Sequence, residues 1–297
     1  MNAFLVSERL SIKPLNIQDA GFILELLNTD GCIQYLGDRN IHTPEDSLSH
    51  VQKIMDNPTI NSWVMRLRKG NVPIGIISFV KRDHLDNPDI GFALLPSFAN
   101  RGYAYEAGKV VLSHIFDSSD NSVILGITIA ENTPSIKLLK KLGLKFQKEI
   151  EIKNEKLQVY VLCKDKFHIA EITKSFFSSF TNKQSSVPNL DLLSSISIPE
   201  ILIVNRNESQ PIRYTLDSFL EPRRKILTDG TLVEFEEKEI YNETKIVNNK
   251  AMRFSEYEKS GILNGKKFTK RGHKLFQFIK IDQIWKISTV IWEDNEN

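Results

Sequence analysis

Cysteine is nearly absent: Cys32 and Cys163 are the only two in 297 residues, too few to staple a secreted fold and without the spacing of a metal site. Histidine adds no ligand set, since His42, His50, His114 and His168 are scattered without a partner at metal-binding intervals. No stretch approaches the ~20 consecutive apolar residues of a membrane span, and Met1 to Leu10 lacks the basic start and apolar run of an export signal. A strong charge of one sign is missing too. With 39 Lys and Arg against 37 Asp and Glu, neither nucleic acid nor an anionic membrane surface is called for by electrostatics. There is no internal repeat and no low-complexity tract. These absences leave an expected soluble protein of a reducing cytoplasm, with 41% apolar and 26% charged residues, able to bury a core. Its length exceeds the ~250 residues at which single cores stop growing, so two domains are expected.

The pattern along the chain changes near residue 165. Before it, strands and helices alternate. Leu10, Ile12 and Leu15 begin a short strand, and Asn16 to Asn28 takes helical spacing with Phe22, Ile23, Leu26 and Leu27 on one face. Thr43-Pro44-Glu45-Asp46 is a helix start with Thr43 as N-cap. Ser62 to Leu67 and Ile74 to Val80 read as a hairpin about Lys69-Gly70-Asn71, and Asp89 to Leu95 as a third strand. Ser122 to Ile129 is another strand. An antiparallel pair closes the region around Lys153-Asn154-Glu155. After Phe167 comes a helix, then long alternating strands at Thr231 to Asn242, Lys250 to Lys259, Gly272 to Ile281 and Trp285 to Trp292, with turn signals at Asn264-Gly265 and Asp282-Gln283. The predicted division is 1–165 and 166–297.

The most informative segment is Ser97-Phe98-Ala99-Asn100-Arg101-Gly102-Tyr103-Ala104, which turns a strand into a helix whose apolar residues recur at three and four. Free amides at a helix start, together with the positive end of its dipole, make an anion site, and a pyrophosphate-bearing cofactor is the natural occupant. A second motif follows in Glu131-Asn132-Thr133-Pro134-Ser135, a loop and helix start ending at Gly143.

With Asn100 to Ala104 and Glu131 to Phe146 in this order, residues 1–165 resemble the GNAT acyl-CoA N-acetyltransferases, especially those that acetylate ribosomal-protein N-termini. Glu8-Arg9-Leu10 and Gly37-Asp38-Arg39-Asn40 add to the likeness. The resemblance implies an α+β fold, a mixed and mostly antiparallel sheet flanked by helices. It implies acetyl-CoA as co-substrate, its pyrophosphate wrapped by Ala99, Asn100, Arg101, Gly102, Tyr103 and Ala104. Ala99 stands where the family usually has Arg or Gln, and Asn100 where Gly is common. The strand before the turn would splay from its neighbour, with Leu94 and Leu95 offering main-chain groups to the cofactor and Asn132 touching its arm. For direct attack by a primary amine, either a protein N-terminus or a small molecule, the implied base is Asp89 through water, with His84 second. The implied acid is Ser135, because Leu139 stands where many relatives have Tyr. Each has a plainer reading: Asn132 and Ser135 suit a helix cap, and Asp89 lies in the turn-rich Asp86-Asn87-Pro88-Asp89. A binding protein on a weakened GNAT fold is the competing interpretation.

Tyr214 to Phe219, Phe254 to Gly261, Gly272 to Phe278 and Trp285 to Ser288 resemble the nuclear-transport-factor-two-like, or SnoaL-like, domains. That likeness implies a cone-shaped curved sheet around a helix-lined pocket, with a homodimer through this domain as one assembly. Alternation sets Arg253, Ser255 and Tyr257 on one face and Met252 and Phe254 on the other. His273 with Tyr257 or Asp217 is a conceivable acid-base pair.

Overall fold

The computed structural model describes residues 3–152 and 154–295, so Lys153 of the expected turn lies outside the described residues. The chain forms two compact units, Met1–Lys164 and Asp165–Asn297.

The first unit runs β1 (Leu5–Val6), β2 (Leu10–Pro14), α1 (Ala20–Leu27), α2 (Asp30–Leu36), α3 (Pro44–Asp56), β3 (Ile60–Leu67), β4 (Pro73–Val80), β5 (Asp89–Leu94), α4 (Tyr103–Ser118), β6 (Val123–Thr128), α5 (Thr133–Lys141), β7 (Lys145–Ile152) and β8 (Glu155–Cys163). Its eight strands lie in the order β1-β2-β3-β4-β5-β6-β8-β7. Only β5 and β6 are parallel neighbours; the other pairings are antiparallel. The start of α3 forms as its residues dictate, with Thr43 Oγ1 accepting from the Asp46 N–H at 3.1 Å and Asp46 returning the bond to the Thr43 N–H at 3.0 Å. The helix α2 is not among the elements expected from the sequence. Cys32 is its single buried residue, too little periodicity to reveal a seven-residue helix.

Both faces of this sheet are covered. Val64, Ile76, Ala93 and Leu95 pack with Phe22, Ile23 and Leu26 of α1. On the opposite face a Cβ at Gly108 would lie 3.2 Å from the Phe92 ring, and at Gly126 2.5 Å from Leu139 Cδ2. These two glycines let α4 and α5 settle against β5 and β6.

The second unit runs α6 (Lys164–Ser178), α7 (Leu192–Ile196), β9 (Ser197–Asn205), β10 (Ile212–Tyr214), α8 (Leu216–Thr228), β11 (Leu232–Val247), β12 (Lys250–Leu263), β13 (Lys266–Ile281) and β14 (Ile284–Asp294), with strand order β10-β9-β14-β13-β12-β11. The strands β9 and β10 escape the sequence reading because the first has Pro199 and Glu200 interrupting its apolar residues and the second is three residues long. The hairpins close as their turn residues require: Asn264 and Gly265 have φ of 49° and 78°, and Asp282 and Gln283 48° and 65°. One face of this sheet buries an aromatic core that includes Phe176, Phe276, Phe278 and Trp285.

Candidate functional site

The two parallel strands of the first unit pair at a single position, Asp89 with Leu125, fixed by the Leu125 N–H donating to Pro88 O at 2.9 Å. Beyond that vertex they part. The Leu95 N–H donates to Ile74 O on β4 at 2.9 Å. Because main-chain groups along a strand point alternately to either side, those of Phe92 and Leu94 face the gap. Leu94 therefore has main-chain groups to offer there, and Leu95 does not, its amide being engaged and its side chain buried at 8% exposure.

Since β5 and β6 are parallel, the segments that leave them emerge at the same end of the sheet. There α4 and α5 begin, which brings the two sequence motifs to one mouth. The turn before α4 uses two left-handed residues, Asn100 at φ 59° and Gly102 at φ 80°. Asparagine is the residue other than glycine that best tolerates this region, which accounts for Asn100 in a glycine position. The Ala99 N–H is taken by Pro96 O at 3.1 Å. Among the described residues, the N–H groups of Asn100, Arg101, Gly102, Tyr103, Ala104 and Tyr105 donate to no other protein group. Gly102 is the N-cap, without a side-chain cap. Unpaired amides at the positive end of a 16-residue helix form an anion-binding cradle.

Two residues outside the predicted set hold this turn. Arg9 places Nη1 3.1 Å from Arg101 O, its guanidinium 4.5 Å from the Tyr103 ring centroid, and Nε 2.6 Å from Glu106 Oε2. Burial pushes the Glu106 carboxyl up, yet the hydrogen bonds from the Arg9 N–H, Ser7 and the Arg9 side chain outweigh it and hold the group below its usual range. Arg9 falls within the quoted Glu8-Arg9-Leu10, but its contact lies 97 residues away at Glu106, a separation that no local pattern reports.

Asn132 is buried and caps α5, its Oδ1 accepting from the Ser135 N–H at 3.2 Å. Ser135 is half-buried on the first turn of α5. Asp89 is buried at the vertex and paired with Arg82, at 2.6 Å from Nε to Oδ1 and 3.3 Å from Nη2 to Oδ2. Burial raises its carboxyl above the ordinary aspartate value although Arg82 and His84 pull the other way. His84 is exposed, and its charge reaches Asp89. Asp89 and Ser135 are not brought together. Leu125 to Thr128 alone spans about 10 Å of strand, and Ser135 lies beyond it at the mouth. Leu139, packed on Gly126, is about 6 Å deeper along α5 than Ser135 and offers no hydroxyl. The missed residue here is Arg82, an unremarkable loop arginine in the sequence.

The conceivable pair His273 with Tyr257 or Asp217 does not form. His273 is exposed and stacks on Phe254 with ring centroids 5.4 Å apart, while Tyr257 is fully buried on the other face and donates to Asp294 Oδ1 at 2.5 Å.

The family model described as Acetyltransferase (GNAT) domain matches residues 9–145, and the chain contains such a domain. Over 141 residues it is 27% identical to the uncharacterized N-acetyltransferase YnaD of Bacillus subtilis, covering 48% of this chain and 82% of that protein. Over 154 residues it is 28% identical to the uncharacterized N-acetyltransferase YoaA of the same organism, covering 50% and 85%. In fold it is similar to a GCN5-related N-acetyltransferase from Brucella melitensis, with TM-score 0.51 and 13% identity over 59% of this chain and 85% of that one. The co-substrate that a GNAT acetyltransferase domain implies is acetyl-CoA.

Proposed function

We propose that the first unit moves an acetyl group from acetyl-CoA to a primary amine, a protein N-terminus or a small molecule, by direct attack on the thioester. The observation that carries this reading is the gap: β5 and β6 meet only at Asp89 and Leu125, and the unpaired amides of residues 100–105 ring its mouth. Those amides would hold the pyrophosphate, with Arg9 and Arg101 adding positive charge. Phe92 and Leu94 would hydrogen-bond the arm through their main chain, and Asn132 would flank it. When bound, acetyl-CoA supplies an activated carbonyl. Asp89, buried at the vertex, would in its ionised form take the amine proton through a water, with Arg82 favouring the carboxylate and fixing it in place. His84, exposed near it, is the second candidate. Ser135 would donate its hydroxyl at the mouth side of Leu139, one helical turn short of the position where relatives carry a Tyr.

For the second unit the same proposal names a cone-shaped SnoaL-like domain that serves either acceptor binding or homodimer formation. Its support is the strand order, with β9 parallel to β14 in an otherwise antiparallel six-stranded sheet and α6 to α8 against one face. Two free cysteines suit a reducing cytoplasm.

Calorimetry with acetyl-CoA tests the transferase reading. Wild type is expected to bind, and Gly102→Glu to lose at least ~100-fold in affinity, because a side chain at φ 80° strains the turn and a carboxylate meets the phosphates. An absence of heat with wild type overturns the reading. A panel of amines and peptides scored by CoA release then identifies the acceptor.

A further inference from the structure

The second unit encloses a cavity of about 590 Å³, within the size range of sites for small organic ligands. Its walls are apolar and aromatic, with Phe176, Phe180, Phe219 and Trp292 among them. Its charge is one-sided. Arg223 and five lysines line it against two carboxylates, Glu237 and Asp294.

Both carboxylates are already engaged. Glu237 Oε1 lies 2.6 Å from Lys274 Nζ, with both side chains at least nine-tenths buried. Asp294 accepts from Tyr257 and lies 2.6 Å from Lys259 Nζ. Arg223 has no ion pair among the described residues: its guanidinium donates to the Phe219 carbonyl at 2.8 Å, interacts with the Tyr214 side chain and with aromatic faces, the nearest being Phe219 at 3.7 Å to the centroid, and feels the Glu237 charge from beyond ion-pair distance. Arg223 presents five donors, and one carbonyl with the Tyr214 side chain leaves others to the cavity it lines. Lys266, Lys267 and Lys270 are exposed at the rim and also lack a carboxylate within ion-pair distance among the described residues. A half-buried cation without an ion pair of its own is costly to keep dry, and an anionic group is the complement that relieves it.

We propose that this cavity binds an amphipathic organic anion, its acidic head on Arg223 and its apolar body against Phe176, Phe180 and Trp292. The same charge balance disfavours a protonated amine, so the cavity is not where a cationic acetyl acceptor would sit. The site lies wholly within the second unit and does not depend on the transferase reading.

The test uses the full chain and three ten-carbon probes: decanoate, decan-1-ol and decylammonium, followed by calorimetry and by tryptophan fluorescence, to which Trp292 in the cavity wall contributes. Decanoate is expected to bind, with decylammonium at least ~10-fold weaker. Arg223→Met is expected to weaken decanoate by about 10- to 100-fold, the range of a charge-assisted hydrogen bond, and to change decan-1-ol by less than ~3-fold. Equal binding of the three probes, no binding of decanoate, or an Arg223→Met variant that binds decanoate as wild type does would each overturn the proposal. Should Arg223→Met fail to fold, Ile226→Trp supplies the bulk to fill the cavity from α8, and decanoate binding undiminished in it overturns the proposal equally. Acetyl-CoA titration of the same variants is expected to match wild type.

Discussion

In the first unit β5 and β6 touch at one residue pair and then part, leaving the amides of the α4 turn without acceptors. In the second unit β12 and β13 pair without a break from Lys250–Ile279 to Leu263–Lys266, and the polar groups of interest are side chains. The first candidate site is thus made of main chain, shaped by where a strand stops pairing. The second is made of charge and aromatic surface set on a sheet whose main chain is satisfied. A main-chain site tolerates changes of side chain, as Ala99 and Asn100 illustrate, but not a Cβ at a left-handed residue. A side-chain site is the reverse, since replacing Arg223 alone should change what it accepts.

The largest expected effect concerns the side chain proposed as base in the first site. Asp89→Asn should lower the rate of acetyl transfer by about 10²–10⁴-fold while acetyl-CoA affinity stays within ~3-fold; an unchanged rate moves the role of base elsewhere. The pH dependence sharpens the point. Asp89 must be ionised to act, and its carboxyl is raised in the fold, so activity should fall with decreasing pH at a midpoint above the ordinary aspartate value. Arg82→Gln removes the interactions that lower it, and the midpoint should move further up. Stability follows the same sign. A carboxyl that holds its proton more tightly when folded loses its favourable contribution as pH rises through the interval between the unfolded and folded values. Arg82→Gln should therefore depress the melting temperature more at pH 7 than at pH 4, and an equal depression at both would contradict a charged, buried Asp89.

A smaller effect belongs to the second unit. A Cβ at Gly272 would fall 2.5 Å from the Tyr257 hydroxyl and also against the Glu293 carbonyl. Gly272→Ala should cost about 1–3 kcal/mol by overpacking, read by denaturant unfolding, and leave acetyl-CoA affinity untouched. Smallest is the cap on α5. Asn132→Ala should cost about 1 kcal/mol, whereas Asn132→Ser keeps a capping oxygen. If Asn132 also contacts the cofactor arm, both variants should weaken acetyl-CoA by similar factors. If it only caps, affinity in Asn132→Ser should equal wild type.

Much of this fold could be read from the chain. The α3 start at Thr43, the α5 start at Asn132 and the two-residue hairpins at Asn264 and Asp282 are local devices, decided by dihedral preference and by hydrogen bonds three residues apart. Among the elements that escaped, α2 buries one residue, β10 has three residues, and β9 carries Pro199 and Glu200 inside it. Of the candidate site, the left-handed turn and the Asn132 cap rest on local signals, and alternation set Arg253, Ser255 and Tyr257 on one face without saying that this face is the buried one. The Leu95 amide was misassigned because which strand it faces depends on the register with β4. Arg9 with Glu106 and Arg82 with Asp89 were invisible as pairs, and His273 lies on the face opposite Tyr257.

By itself the sequence determined that a strand here turns into a helix with its amides exposed, because Asn100, Gly102 and the following helical pattern settle backbone angles over a few residues. Tertiary structure alone decided that Asp89 sits at the vertex of two parting strands, that Asn132 shares a mouth with Gly102, and that Arg223 is left without an ion pair among the described residues. Those outcomes depend on strand order and on burial, which are properties of residues far apart in the chain brought within one field and one dielectric.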